Sequence, residues 1–167
     1  QRLCSKFDDR YWLKVDEEAK FPHDFYSALA RDGWLGIATP EAYGGAGGDY
    51  LFDVVVFEEM ARGGFSGPGF MIHTDLVATY LRSFGTEAQK LAWLPKMVRG
   101  EAIGSLGMTE PHAGSDLKNI RTRAVRDGDD YVINGQKVFI SNGQLCDLIV
   151  LATRTDTTAG ARGITLF

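Results

Sequence analysis

The hydrophobic period of the chain changes at Gly100, and that change limits the fold more than any other feature. Before Gly100, apolar residues recur at intervals of three and four, the spacing that lines one face of a helix. After it, apolar and polar residues alternate, and Asp127-Gly128 and Asn134-Gly135 supply dipeptides suited to tight hairpin turns. The chain therefore reads as α+β: an all-helical N-terminal domain over residues 1–101, then the first part of a β-barrel or sandwich over residues 102–167. The last run, Gly163 to Phe167, ends on an apolar residue with no cap, which points to a chain cut inside a domain.

In the first half, Pro22 suits the first position of a helix running to about Arg31. Phe25 and Leu29 lie four apart on its inner face, and Gly33 suits its stop. Trp34 to Ala38 reads as an apolar connector and Pro40 to Gly48 as an irregular loop. Asp49 is placed to cap a helix over roughly 50–62, with Leu51, Val54, Val55 and Glu58 setting its period. A further helix over 70–84 carries Ile72, Leu76, Val77, Tyr80, Leu81 and Phe84 and stops at Gly85. Thr86 with Gln89 forms a capping-box pattern for the next one. Pro95 lacks an N–H and is expected to kink or restart it, and Gly100 to close it. Strands are expected at 102–108, 121–126, 130–134, 136–141, 147–154 and 163–167, with no sheet of three or more strands before Gly100. Asn134-Gly135 is expected to form a two-residue turn, with Phe139 and Ser141 on one side of the returning strand.

Charge narrows the function. Lys and Arg number 18 against 22 Asp and Glu, a net −4 with no basic cluster, which argues against a nucleic-acid binder. No apolar run approaches the length of a membrane span. Cys4 and Cys146, far apart, make neither a disulfide framework nor a zinc site and suit a reducing compartment. Residues 1–6 lead into charged sequence rather than an apolar signal segment.

Two stretches carry chemistry. Leu106 to Asp116 is a strand leaving into a loop: Pro111 fixes the exit, Ala113 and Gly114 let backbone approach a ligand, and Thr109 and Ser115 offer hydroxyls. In Asn134 to Gly143, a flat polar ring could lie against Phe139 and take a hydrogen bond from Ser141. The residues alone leave two readings, a cofactor cradle or two ordinary β-turns. Glu110 has the chemistry of a base, but a loop-ordering role fits it better. His73 reads as a packed helix histidine and His23 as solvated. Glu58 and Glu59 read as pairing within their helix, Arg121, Arg123 and Arg126 as a solvated strand face, and Cys146 as a buried small hydrophobe. The loop Tyr43 to Gly48 has a packing and a domain-contact reading, both open.

The ordered set Pro40 to Gly48, Phe57 to Ala61, Phe84 to Lys90 with Leu94-Pro95, Met108 to Asp116 and Asn134 to Gly143 resembles the acyl-CoA dehydrogenase family of flavoenzymes. The resemblance covers nearly the whole chain. Ser66 to Phe70 and Val138 to Gly143 look most like its long-chain branch. The resemblance implies a helical N-terminal domain, a β middle domain and a C-terminal four-helix bundle, with FAD between the last two. It implies flavin contacts from Leu106, Gly107, Met108 and Thr109, the last two nearest the pyrimidine edge. It places Gly114 and Ser115 at the FAD pyrophosphate, and Ser115 also at the CoA portion of the substrate. Phe139, Ile140 and Ser141 would flank the flavin, with Ser141 reaching N5. His112 stands where the family more often has a small residue; it is a surface bystander or a contact to the cofactor or the CoA phosphates. No catalytic residue and no metal ligand is assigned, because the family's base is a Glu of the C-terminal bundle.

The implied activity is α,β-dehydrogenation of medium- to long-chain acyl-CoA thioesters in fatty acid β-oxidation, with electrons passing to an electron-transfer flavoprotein. The implied setting is a homodimer or homotetramer in a bacterial cytoplasm or a mitochondrial matrix, without nucleic acid or membrane span. The helices at 50–62 and 70–84 would form one wall of the acyl pocket, with Gly67-Pro68-Gly69 opening its deep end. An acyl-CoA oxidase or flavin monooxygenase of the same superfamily, or a non-catalytic binding module, remains open. The 167-residue chain by itself is expected to bind FAD weakly or not at all and to show no turnover.

Overall fold

The computed structural model describes residues 2–65 and 69–167, which form two compact units, Gln1–Ile103 and Gly104–Phe167. The first is helical: α1 Asp9–Glu17, α2 His23–Arg31, α3 Tyr50–Arg62, α4 Ala78–Phe84 and α5 Glu87–Val98. Local chemistry sets their ends. The Asp8 carboxylate accepts from the Tyr11 amide at 3.0 Å, and the Asp49 carboxylate from the Leu51 amide at 3.0 Å. Thr86 and Gln89 form the complete capping box that starts α5. Gly100 leaves α5 with φ +70° in a place where a Cβ would lie 2.8 Å from that of Ala30, so only glycine fits both the turn and the gap. The core gathers Phe25, Tyr26, Leu29, Leu35, Met60, Phe65 and Phe70. Trp12 and Phe25 meet edge to face at 4.9 Å. Among the described residues no strand precedes Gly104.

Three helical expectations need correction. In α3, Leu51, Val54 and Val55 are exposed, while Asp53 and Met60 are buried and Val56 and Phe57 pack on the core. The run Leu51-Phe52-Asp53-Val54-Val55-Val56-Phe57 is apolar almost all round, so period alone does not select the buried face. The helix before Gly85 contains a π-helical stretch, Ile72–Val77. Its extra residue per turn rotates the inner face onto His73, Val77, Ala78 and Leu81, leaving Leu76 and Phe84 outside. Pro95 lies inside one continuous α5 and does not restart it. The carbonyl that loses its donor belongs to Leu91, on the exposed face, where water can serve it. Residues 66–68, part of the expected deep end of the acyl pocket and of the long-chain resemblance, lie outside the described residues.

The second unit is a five-stranded sheet with β1 Gly104–Gly107, β2 Arg123–Asp127, β3 Asp130–Asn134, β4 Leu148–Arg154 and β5 Ile164–Leu166. Its path is β1-β4-β2-β3, and β5 pairs with β4. β1 runs parallel to β4 with Gly104 opposite Leu148. β2 and β3 form the expected hairpin, Asp127 opposite Asp130, turning at Gly128-Asp129. Residues 136–141 are not a strand, and Asn134-Gly135 is not a hairpin turn, because among the described residues β3 pairs only with β2. Gly135 serves close approach instead: a Cβ there would lie 2.2 Å from Thr122 Oγ1. Among the described residues no helix is long and apolar enough to cross a membrane, and no cluster of His, Cys, Asp and Glu could hold a metal ion. Cys4 and Cys146 are free and only half-buried, so Cys146 is not the buried hydrophobe expected.

The first unit also holds a pair of carboxyl groups, on Asp53 in α3 and Asp75 in the π-helical stretch. Burial first, and then the charge of Asp53, raises Asp75 to about 6, and burial raises Asp53. A carboxyl raised in the folded state stabilises the fold below its unfolded value of 3.8, and that stability is lost as pH rises through about 6. Asp75→Asn should therefore raise unfolding free energy at pH 7 by about 1 kcal/mol after allowance for solvent screening. The gain should vanish at pH 4, and urea midpoints at the two pH values check it.

Candidate functional site

The site begins where β1 ends. Met108 and Thr109 leave the strand, and Glu110 to Ala113 closes a tight turn in which the Glu110 amide donates to the Ala113 carbonyl at 2.9 Å and the Ala113 amide returns the bond at 3.1 Å. Ala113 packs in a small core with Ile120 and Ala152, and Met108 lies against it. Pro111 and His112 occupy the corner of the turn.

Inside the turn sits a buried carboxylate. Glu110 is 3% exposed and accepts from the Arg121 amide at 2.6 Å, the Thr122 amide at 2.9 Å and the Lys137 ammonium at 2.9 Å. Burial alone would raise its pKa, but the donors of Thr122, Arg121 and Lys137 outweigh burial and hold it down at about 2. An acid so saturated with donors orders its loop and is a poor proton acceptor, which favours the loop-ordering reading over the catalytic one. Lys137 also donates to the Met108 carbonyl at 2.9 Å. His112 is exposed at the loop surface, its Nε2 3.3 Å from the Glu110 carboxylate.

That clamp brings the two chemistry-bearing stretches together. The Val138 amide donates to the Thr109 carbonyl at 3.0 Å. The Ser105 hydroxyl donates to the Ser141 carbonyl at 2.7 Å, and the Asn142 side chain to the Gly104 carbonyl at 3.2 Å. Residues 137–142 thus run as a loop tied along β1 and its exit. The expected alternation of a strand does not place Phe139 and Ser141; this tethering does. Phe139 has φ +56° and is 94% exposed. Ile140 is half-buried and Ser141 exposed. Of the other expected residues, Leu106 and Gly107 lie within β1 beside Val150 and Leu151. Gly114 is exposed and faces open space, with no atom within 4 Å of a Cβ placed there, and Ser115 is exposed beside it. Sequence reasoning missed Lys137, which reads there as one residue of a β-segment. Its only signal was a cation heading the short apolar run Val138-Phe139-Ile140.

Comparison with known proteins identifies the family. Residues 1–101 match the family described as acyl-CoA dehydrogenase, N-terminal domain, and residues 105–167 match acyl-CoA dehydrogenase, middle domain. The chain is 42% identical over 158 residues to a mitochondrial long-chain specific acyl-CoA dehydrogenase of Rattus norvegicus, covering 93% of this chain and 36% of that protein. It is 41% identical to a short-chain specific acyl-CoA dehydrogenase of Clostridium acetobutylicum, covering 92% of this chain and 41% of that one. The crystal structure of an acyl-CoA dehydrogenase from Geobacillus kaustophilus superposes with TM-score 0.91 and 44% identity, covering 99% of this chain and 44% of that one. The chain thus spans less than half the length of these relatives.

A carboxylate held at about 2 contributes stability that is present above its unfolded value of 4.5 and lost as pH falls toward 2. Glu110→Gln leaves the Lys137 charge in place without its partner, so it should lower unfolding free energy by about 3 kcal/mol at pH 7. The loss should shrink at pH 3, where the wild-type protein has given up part of the same stability. Denaturant midpoints of wild type and variant at both pH values decide it.

Proposed function

Because the chain belongs to the acyl-CoA dehydrogenase family, we propose that the protein it forms part of is an FAD-dependent oxidoreductase acting on acyl-CoA thioesters. Its proposed reaction is α,β-dehydrogenation of medium to long acyl chains, and an electron-transfer flavoprotein is the proposed acceptor. The chain-length reading rests on the resemblance of residues 138–143 to the long-chain branch, since identity to long-chain and short-chain specific relatives is nearly equal, 42% and 41%. A homo-oligomer in a bacterial cytoplasm or a mitochondrial matrix completes the proposal.

One observation carries it. Phe139 holds a left-handed backbone and a ring that is almost fully exposed. For a residue with a Cβ that conformation costs about 1–2 kcal/mol, and the exposed ring forfeits its hydrophobic gain. A planar ligand laid on one ring face would cover roughly 100 Å², worth about 2–3 kcal/mol, enough to offset the strain. The flavin ring system is such a ligand, and the residues around Phe139 suit it. Met108 and Thr109 lie on the adjoining loop, and Ile140 and Ser141 flank the aromatic ring along the chain.

In this reading Leu106, Gly107, Met108 and Thr109 hold the pyrimidine edge, Gly114 and Ser115 the pyrophosphate, and Phe139, Ile140 and Ser141 the ring. Bound FAD supplies the acceptor for a hydride leaving the substrate. The chain's own residues align and enclose. The Glu110 to Lys137 pair fixes the Met108 carbonyl and the Thr109 backbone before any ligand arrives, so little ordering remains to be done on binding. Open space at Gly114 admits a phosphate close to the backbone. Ser115 offers its hydroxyl to the CoA portion, and Phe139 keeps water from one side of the reacting pair. None of these residues is assigned as the base.

Anaerobic titration of the full-length protein with an acyl-CoA should bleach the flavin band. Thr109→Ala, Ser141→Ala and Phe139→Ala should each slow bleaching about tenfold without unfolding the protein. Wild-type rates in all of them would remove the flavin assignment. Phe139→Gly should stabilise the flavin-free protein by about 1 kcal/mol, because glycine accepts the left-handed conformation, while weakening FAD retention. Oxygen uptake with acyl-CoA and no other acceptor would make the protein an oxidase instead.

A further inference from the structure

Helix α3 leaves Leu51, Val54 and Val55 in solvent and buries Asp53, which is 7% exposed. A carboxylate leaves water at a high cost and stays buried only where something takes up its charge. Among the described residues no ion pair includes Asp53. Its partner is another acid: the side chains of Asp53 and Asp75 share a hydrogen bond. Two ionised carboxylates offer acceptors and no donor, so that bond exists only while one of the pair carries a proton.

Asp75 belongs to the π-helical stretch Ile72–Val77, which the Ala78 amide closes by donating to the His73 carbonyl. Such a stretch is rare, and it tends to mark places where a helix does more than support its neighbours. The Asp75 carboxyl is half-buried and accepts from the Thr74 hydroxyl at 3.2 Å. The same hydroxyl bonds the Phe70 carbonyl at 3.2 Å. Arg82, in α4, is the cation whose field reaches both acids, and it favours their charged forms. Its guanidinium donates to the Ala38 carbonyl and to the Thr79 hydroxyl rather than to either acid. His73 bonds elsewhere, with the Tyr26 hydroxyl at 3.4 Å and the Met97 carbonyl at 3.1 Å. Burial and then the Asp53 charge bring the titration of Asp75 to about 6, so the shared proton is lost near neutral pH rather than in strong acid.

We propose that Asp53 and Asp75 form a proton-operated latch between α3 and the π-helical stretch. It is closed while the two share a proton. When the proton leaves, two like charges face each other across the contact, and the stretch is released from α3. The latch lies wholly within the first unit and does not depend on the function proposed above.

Hydrogen exchange on the full-length protein, without substrate, reads the latch. After correction for the intrinsic pH dependence of exchange, protection of the amides from Asp75 to Ala78 should fall about tenfold between pH 5 and pH 8, while α5 keeps its protection. Asp75→Asn should stay closed at both pH values, because a carboxamide donates to Asp53 whatever the pH. Asp53→Asn makes the same bond from the other side and serves should the first variant fail to fold. Equal wild-type protection at both pH values overturns the latch. So does an undiminished fall in either folded variant, or a fall shared equally by α5, which would be a loosening of the whole unit. No turnover is measured, so the result reads the same whether or not the protein oxidises an acyl-CoA.

Discussion

A carboxylate taken out of water must be given donors in return, and Glu110 collects them from three directions. Two come from consecutive amides at Arg121 and Thr122, the approach to β2. The third comes from Lys137, in the loop after β3. One side chain thus holds together the exit of β1, the entrance to β2 and the segment that follows the hairpin. Removing one partner of such a buried pair costs about 3–5 kcal/mol, because the other is stranded. Met108, Thr109, Phe139 and Ser141 occupy their positions as a consequence, since the Met108 carbonyl and the Val138 amide are both fixed by the same junction.

The exposed Phe139 is explained by the same junction. The loop from Lys137 to Asn142 is bonded at both ends to β1 and its exit. Its backbone has no freedom to turn the ring inward, and left-handed residues at Phe139 and Asn142 take up the geometric mismatch. Strain of this kind persists only where surrounding structure over-determines it, and it gathers at ligand sites. Rigid support beneath and an unburied aromatic above is the arrangement expected of a surface made to be covered.

The two units differ in how far their sequences disclosed them. Helix positions in the first were legible because caps and stops are local: Asp49, the Thr86 and Gln89 box and Gly100 each act within a few residues. The inner face of α2 was legible too, with Phe25 and Leu29 buried as expected, but those of α3 and of the helix before Gly85 were not. α3 is apolar almost all round, and the π-helical stretch at Ile72–Val77 shifts the inner face without leaving a mark on hydrophobic spacing. In the second unit the turn at Gly128-Asp129 follows from glycine's freedom at φ +62°. Asn134-Gly135 has equally good turn chemistry and does not turn, because Thr122 presses against Gly135 and the downstream residues find partners on β1 instead.

By itself the sequence determined the order of helices and most strands, the Asp127 hairpin and the two stretches that carry chemistry, since each depends on residues close together along the chain. The tertiary structure alone decided that those stretches meet and that Lys137 is the partner of Glu110. Each of these joins residues distant in sequence, and each depends on exchanging water for a specific partner in space. No local propensity encodes that exchange; it is settled only when burial and hydrogen bonding are satisfied together.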